Sequence, residues 1–156
     1  NMFKNTMRQL GYCVSKHVLQ AQQMSKIQNL AHDVRPKRLG AGRVTLSFEN
    51  GFLDDSFWSS LPDEINSESA GSAFIFQEKA AAGDIHVTAG SGLRLYLPLT
   101  DNPVSVYLHG SCIGGPREDD PALGIGLFPG QWLLVNHDLW RSFPEGDSIM
   151  LVLDFD

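Results

Sequence analysis

The chain has 156 residues, 42% of them hydrophobic and 19% charged, which suits one globular core and excludes a disordered segment. No apolar run approaches the ~20 residues that span a bilayer, nothing at the N-terminus reads as a secretory signal, and Met2 is expected to be the native start. A cytoplasmic location is expected, with Cys13 and Cys112 as reduced thiols; neither has the CxxC neighbour a zinc site would need.

The net charge of −6 hides an asymmetry: residues 1–40 carry seven basic side chains against Asp33 alone, so the rest is strongly acidic. The two parts attract, and the basic segment docks on its own acidic body or meets an anionic partner. Nucleic acid is not an expected partner, because the acidic body repels phosphate.

Residues 2–31 read as helix. Phe3, Met7, Leu10, Val14, Val18, Ala21, Met24, Ile27 and Leu30 recur every three or four positions and share one face. Gly11 weakens the middle and offers a point of division into two helices. The stripe buries against the domain by default, and a protein partner or second copy of the chain is the alternative. His17 on this stripe and His32 near its end are expected to pack or cap. Arg35–Gly42 then ends the helix as a linker, which divides the chain into a basic amphipathic helical segment, 1–40, and a domain, 41–156.

From Arg43 the period becomes two. Arg43–Phe48 is a strand, and Asp54 or Asp55 caps a short helix holding Phe57, Trp58 and Leu61, closed by Pro62. Strands follow at 73–77, 84–89, 93–99, 104–109, 131–136, 139–143 and 148–154, separated by glycine, proline, asparagine and aspartate. Alternation puts Leu93, Leu95, Leu97 and Leu99 on one face and Arg94 and Tyr96 on the other, and sets Val104, Val106 and Leu108 against Ser105, Tyr107 and His109. The loop 110–124 is either a lid or a solvated connection. About eight such strands predict a mainly β fold, a sandwich or barrel, behind an N-terminal helical segment. Trp132 and Trp140 read as core or cavity wall.

The run Ser72-Ala73-Phe74-Ile75-Phe76, then Ala82-Gly83-Asp84-Ile85-His86, then Leu93-Arg94-Leu95-Tyr96-Leu97 resembles the aspartyl/asparaginyl β-hydroxylase family. The glycine turn at Pro129-Gly130, the apolar strand to Asn136 and a last strand ending in Asp154-Phe155 resemble that family's closing strands. The resemblance implies a double-stranded β-helix (jelly roll, cupin-like). It also implies an iron(II) and 2-oxoglutarate hydroxylase acting on an amino-acid-like or small-molecule substrate, or on a peptide. In that family two histidines hold the metal, an arginine pairs with the distal carboxylate of 2-oxoglutarate, and open positions take the co-substrate and dioxygen.

Carried onto this sequence, His86 matches the first metal ligand, or Thr88 if the match is anchored on Gly90. Arg94 matches the strand arginine, with Tyr96 where the family has histidine. The second metal histidine is replaced by Arg141, with His137 four residues earlier, and the co-substrate arginine by Ser148. A rearranged metal site would draw on His86 and His137 with Asp84 or Asp138, and Arg94, Arg141 and Tyr96 would hold the co-substrate. The resemblance further implies that Tyr96, Tyr107 and His109 face the interior. The alternative is a jelly roll without catalysis that binds a ligand or a protein, docking through the N-terminal helix.

Overall fold

The computed structural model describes residues 2–34, 43–65, 67–77, 85–110, 122–143 and 149–156. The elements in chain order are α1 (Met2–Leu10), β1 (Tyr12–Val14), α2 (Ala21–Val34), β2 (Arg43–Leu46), α3 (Asp55–Ser60), β3 (Ala70–Gln77), β4 (Leu93–Pro98), β5 (Val104–Gly110), β6 (Leu123–Leu127), β7 (Leu133–Asn136), β8 (Trp140–Ser142) and β9 (Ile149–Phe155). The strands form two antiparallel sheets, one ordered β1-β7-β4-β9-β3-β2 and the other β6-β5-β8. This is the expected mainly β jelly roll. No helix among the described residues is long and apolar enough to cross a membrane.

The alternation in β4 sets the layers. Leu95 and Leu97, fully buried, belong to a core shared with Ile27 of α2 and Phe57 of α3, on the outer face of the large sheet. Tyr96 points the other way, into the core between the sheets, with Val106, Leu108, Leu133 and Val152. Each such aliphatic side chain withdrawn from water stabilises the fold by about 1.5–3 kcal/mol. The central strand β9 reads Ile-Met-Leu-Val-Leu because both of its faces are covered. Asp54 caps α3 as expected, its carboxylate accepting the amides of Ser56 and Phe57.

The N-terminal stripe departs from a single helix. Gly11 takes φ +81°, a left-handed conformation that ends α1, and its N–H donates to the Met7 carbonyl at 3.0 Å. Tyr12-Cys13-Val14 then pairs with β7, giving that strand a neighbour on its open side. Val18 and His17 therefore lie in the connection between β1 and α2 and are exposed, so His17 does not pack as expected. The face of α2 that could have met a second copy, including Met24, Ile27 and Ala31, covers this chain's own sheet.

Two further differences concern strands. Leu123–Leu127 forms β6, paired with β5, where the sequence reading has the end of a loop; Gly124 and Gly126 mask its alternation. Among residues 85–90 only His86 makes a β-bridge, to Arg141. Tyr107 faces outward and is 38% exposed, and His109 bonds Ser142 at its edge, so of the three residues expected inside only Tyr96 is enclosed. Residues 35–42, where the expected linker and domain boundary fall, lie outside the described set, as do Cys112, Ser148 and most of the 110–124 loop.

Candidate functional site

Cross-strand register builds the site row by row, since directly opposed residues project from the same face of the sheet. Ser72 of β3 and Arg94 of β4 both oppose Asp154 of β9. In the next row Phe74 and Tyr96 both oppose Val152. Arg43 of β2 opposes Phe76, and its guanidinium lies 4.0 Å from the centroid of the Phe74 ring, one row across. These rows and the 86–89 segment enclose a cavity of about 480 Å³. Its polar lining comes from Arg43, His86, Thr88, Arg94 and Tyr96, and its apolar wall from Phe74, Phe76 and Phe143. Phe143 is the hub of that wall, edge-on to Tyr96 at 5.2 Å and 5.9 Å from the His86 ring.

The first row is an ion pair. Arg94 donates from Nε to Asp154 Oδ1 at 2.7 Å and from Nη2 to Oδ2 at 2.9 Å, the bidentate geometry that suits a guanidinium. Ser72 Oγ donates to Oδ2 at 3.3 Å, and His137 Nε2 lies 3.5 Å from Oδ1. Burial pushes the Asp154 carboxyl up, but the hydrogen bonds and charge of Arg94, with help from His137 and Ser72, outweigh it and hold it below the usual carboxylate range. Burial likewise disfavours the Arg94 charge, and Asp154 and Tyr96 reverse that and raise its pKa. Arg94 is thus committed to a structural partner.

Arg141 is fully buried. Its backbone pairs with that of His86 through two hydrogen bonds of 2.9 Å, so the two residues the resemblance assigns to the metal positions oppose one another. The guanidinium donates to the carbonyls of Leu139 (3.0 Å), His137 (2.9 Å) and Asn136 (3.4 Å) and to the hydroxyl of Tyr96 (3.0 Å). All four acceptors are neutral. A fixed positive charge therefore sits directly behind the cavity.

His137 does not join His86 on the cavity wall. Its ring packs on Gly92, which has room for no Cβ there, and its two nitrogens and Thr88 Oγ1 are buried without a hydrogen-bond partner. Asp138 is exposed, and Asp84 lies outside the described residues. The structure thus gathers His86, Arg94 and Tyr96 around one cavity, puts Arg141 behind it, and turns His137 toward Asp154.

These residues do not fit an iron of the kind the resemblance implies. Among the described residues no three His, Cys, Asp or Glu side chains come together. Arg141, which the resemblance sets at the second ligand position, is a cation, and a divalent ion within ~5 Å of a guanidinium is opposed by about 7 kcal/mol at an effective dielectric of ~20. Sequence reasoning missed Arg43, Phe74 and Asp154, since only strand register brings them to the site. The Asp-aromatic ending of the last strand was the one signal for Asp154.

The sequence matches no protein-family model and no curated protein. Solved structures are similar in fold. An oxidoreductase of the 2OG-Fe(II) oxygenase family from Burkholderia pseudomallei superposes with TM-score 0.68 at 9% identity, over 99% of this chain and 88% of that one. The α-ketoglutarate-dependent epimerase SnoN of nogalamycin biosynthesis gives 0.67 at 14% identity, over 97% and 80%. A Pseudomonas putida prolyl-4-hydroxylase gives 0.66 at 9% identity, over 97% and 95%. The chain therefore has the jelly-roll fold of the iron(II)/2-oxoglutarate oxygenases.

Proposed function

We propose that this chain is a ligand-binding jelly roll of the oxygenase fold, whose cavity takes a small carboxylate without iron. The observation that carries the reading is Arg141, a buried cation hydrogen-bonded in place opposite His86. Among the described residues its charge meets no carboxylate, and Asp154, beside the cavity, is already paired with Arg94. Tyr96 Oη accepts from Arg141, which leaves its own proton to donate. Arg43 stands over Phe74 at the rim with no ion pair among the described residues. The lining thus offers donors and positive charge against an aromatic wall, which suits a small aromatic carboxylate.

The competing reading is a hydroxylase of the aspartyl/asparaginyl type with a rearranged iron site, acting on an amino-acid-like substrate or a peptide. The shared fold supports it. It requires ligands beyond those described, with Asp84 the nearest in sequence to His86.

Anaerobic loading with iron(II) and 2-oxoglutarate, followed by admission of dioxygen, separates the two. The binding reading expects less than a tenth of an iron per chain and no succinate, whereas phenylacetate raises the melting temperature and Arg43→Ala removes that rise. One iron per chain, lost in His86→Ala together with succinate formation, would overturn it.

A further inference from the structure

A second cavity, of about 800 Å³, lies on the opposite side of the large sheet from the first, between α1, the 15–20 connection and α3. Its volume falls in the range that encloses a small molecule. Trp132 is its inner wall, 3% exposed and fixed by an indole N–H bond of 3.2 Å to Ser60 Oγ, which in turn donates to the Phe57 carbonyl. The connection that forms the second wall is held by the chain itself. The Ser15 amide donates to the Trp132 carbonyl, the Trp132 amide to Ser15 Oγ, and the Leu19 amide to the Gly130 carbonyl, all within 3.1 Å. Gly130, at φ +90°, allows this approach, since a Cβ there would press on Val18 at 3.2 Å. The cavity is therefore preformed and needs no ligand to shape it.

The walls are chiefly apolar: Phe3 and Val14, then Leu19, Leu61 and Pro62. At the mouth Met2 and Val18 are 80% and 60% exposed. The lining carries Glu64 as well as Lys16; Glu64 already has an interaction within the chain, while Lys16 and His17 have no ion-pair partner among the described residues. Lys16 lies close enough to the wall residue Cys13 to act on its thiol. An apolar cleft with one unmatched cation at its mouth complements a molecule with an apolar body and an anionic head.

We propose that this cleft binds an amphipathic aliphatic carboxylate, the chain lying along Trp132 and the carboxylate meeting Lys16. The recess is bounded by three elements, with α1 forming one flank through Met2, Phe3 and Thr6. Decanoate below its micellar concentration, titrated into the full chain by calorimetry, is the probe. One decanoate per chain is expected, at least tenfold tighter than 1-decanol. Lys16→Glu should weaken decanoate at least tenfold and leave decanol unchanged. Val18→Asp, at an exposed position that tolerates charge, should weaken both. Arg43→Ala should weaken neither, which separates this site from the inner cavity. Three results would overturn the assignment: no saturable binding, an affinity indifferent to Lys16→Glu, or a concentration-dependent dimer dissolved by Val18→Asp, which would give the cleft to a second copy.

Discussion

Replacing Arg141 by methionine tests whether the guanidinium holds the structure together or is merely tolerated within it. Methionine keeps much of the stem and removes all four hydrogen bonds. The Asn136 and His137 carbonyls retain second donors, the amides of Leu139 and Thr88. The loss therefore concentrates on the Leu139 carbonyl and the Tyr96 hydroxyl. A buried polar group left unpaired costs ~1–3 kcal/mol, hence about 2–6 kcal/mol for the pair. Against this, the variant no longer buries an uncompensated charge, a relief of a few kcal/mol. Because Tyr96 still has Arg94 beside it and the Leu139 carbonyl has no substitute, we expect a net loss of roughly 2–3 kcal/mol. For a domain of this size that lowers the melting temperature by about 4–12 °C. Differential scanning calorimetry reads the shift, and far-UV circular dichroism checks that the sheets persist. A variant that melts at or above the parent temperature would refute the reasoning: the desolvation of the charge would then exceed everything its hydrogen bonds contribute.

Asp54→Ala removes the cap of α3 and should cost ~1 kcal/mol in a urea titration, with an unchanged denaturant slope. Gly92→Ala would bring a Cβ inside contact distance of the Phe155 carbonyl and within 3.2 Å of the His137 ring, so strand displacement and a loss of ~2 kcal/mol or more are expected from the same titration. The Asp154 carboxyl is held below its unfolded value of ~3.9. Its contribution to stability is therefore full above that value and is lost as pH falls through the lower folded value. Unfolding free energies measured from pH 6 to 2 should fall less steeply for Asp154→Asn below pH ~4 than for the parent chain; parallel curves would count against the ion pair.

Much of the fold was legible because alternation is a local property. Leu93-Arg94-Leu95-Tyr96-Leu97 states which side chains share a face, and the structure keeps that division, with the leucines toward the helices and Tyr96 between the sheets. The cap at Asp54 was legible for the same reason, being closed within three residues. β1 was not, because a three-residue strand inside a helical stripe exists only through its pairing with β7. The outward turn of Tyr107 was legible from its alternation with Val106 and Leu108, and the family resemblance pointed the wrong way.

The sequence alone determined that the chain would form a mainly β fold and that Arg94 and Tyr96 would share a face, and the family resemblance narrowed that fold to a jelly roll. Tertiary structure decided what those residues meet. Arg94 finds Asp154 from 60 positions away, Arg141 finds Tyr96 from 45, and Arg43 reaches the ring of Phe74 across a strand pair. Such partnerships depend on strand register, which is set when both faces of a sheet bury their side chains at once. A slip of one residue would turn every one of them to the opposite face.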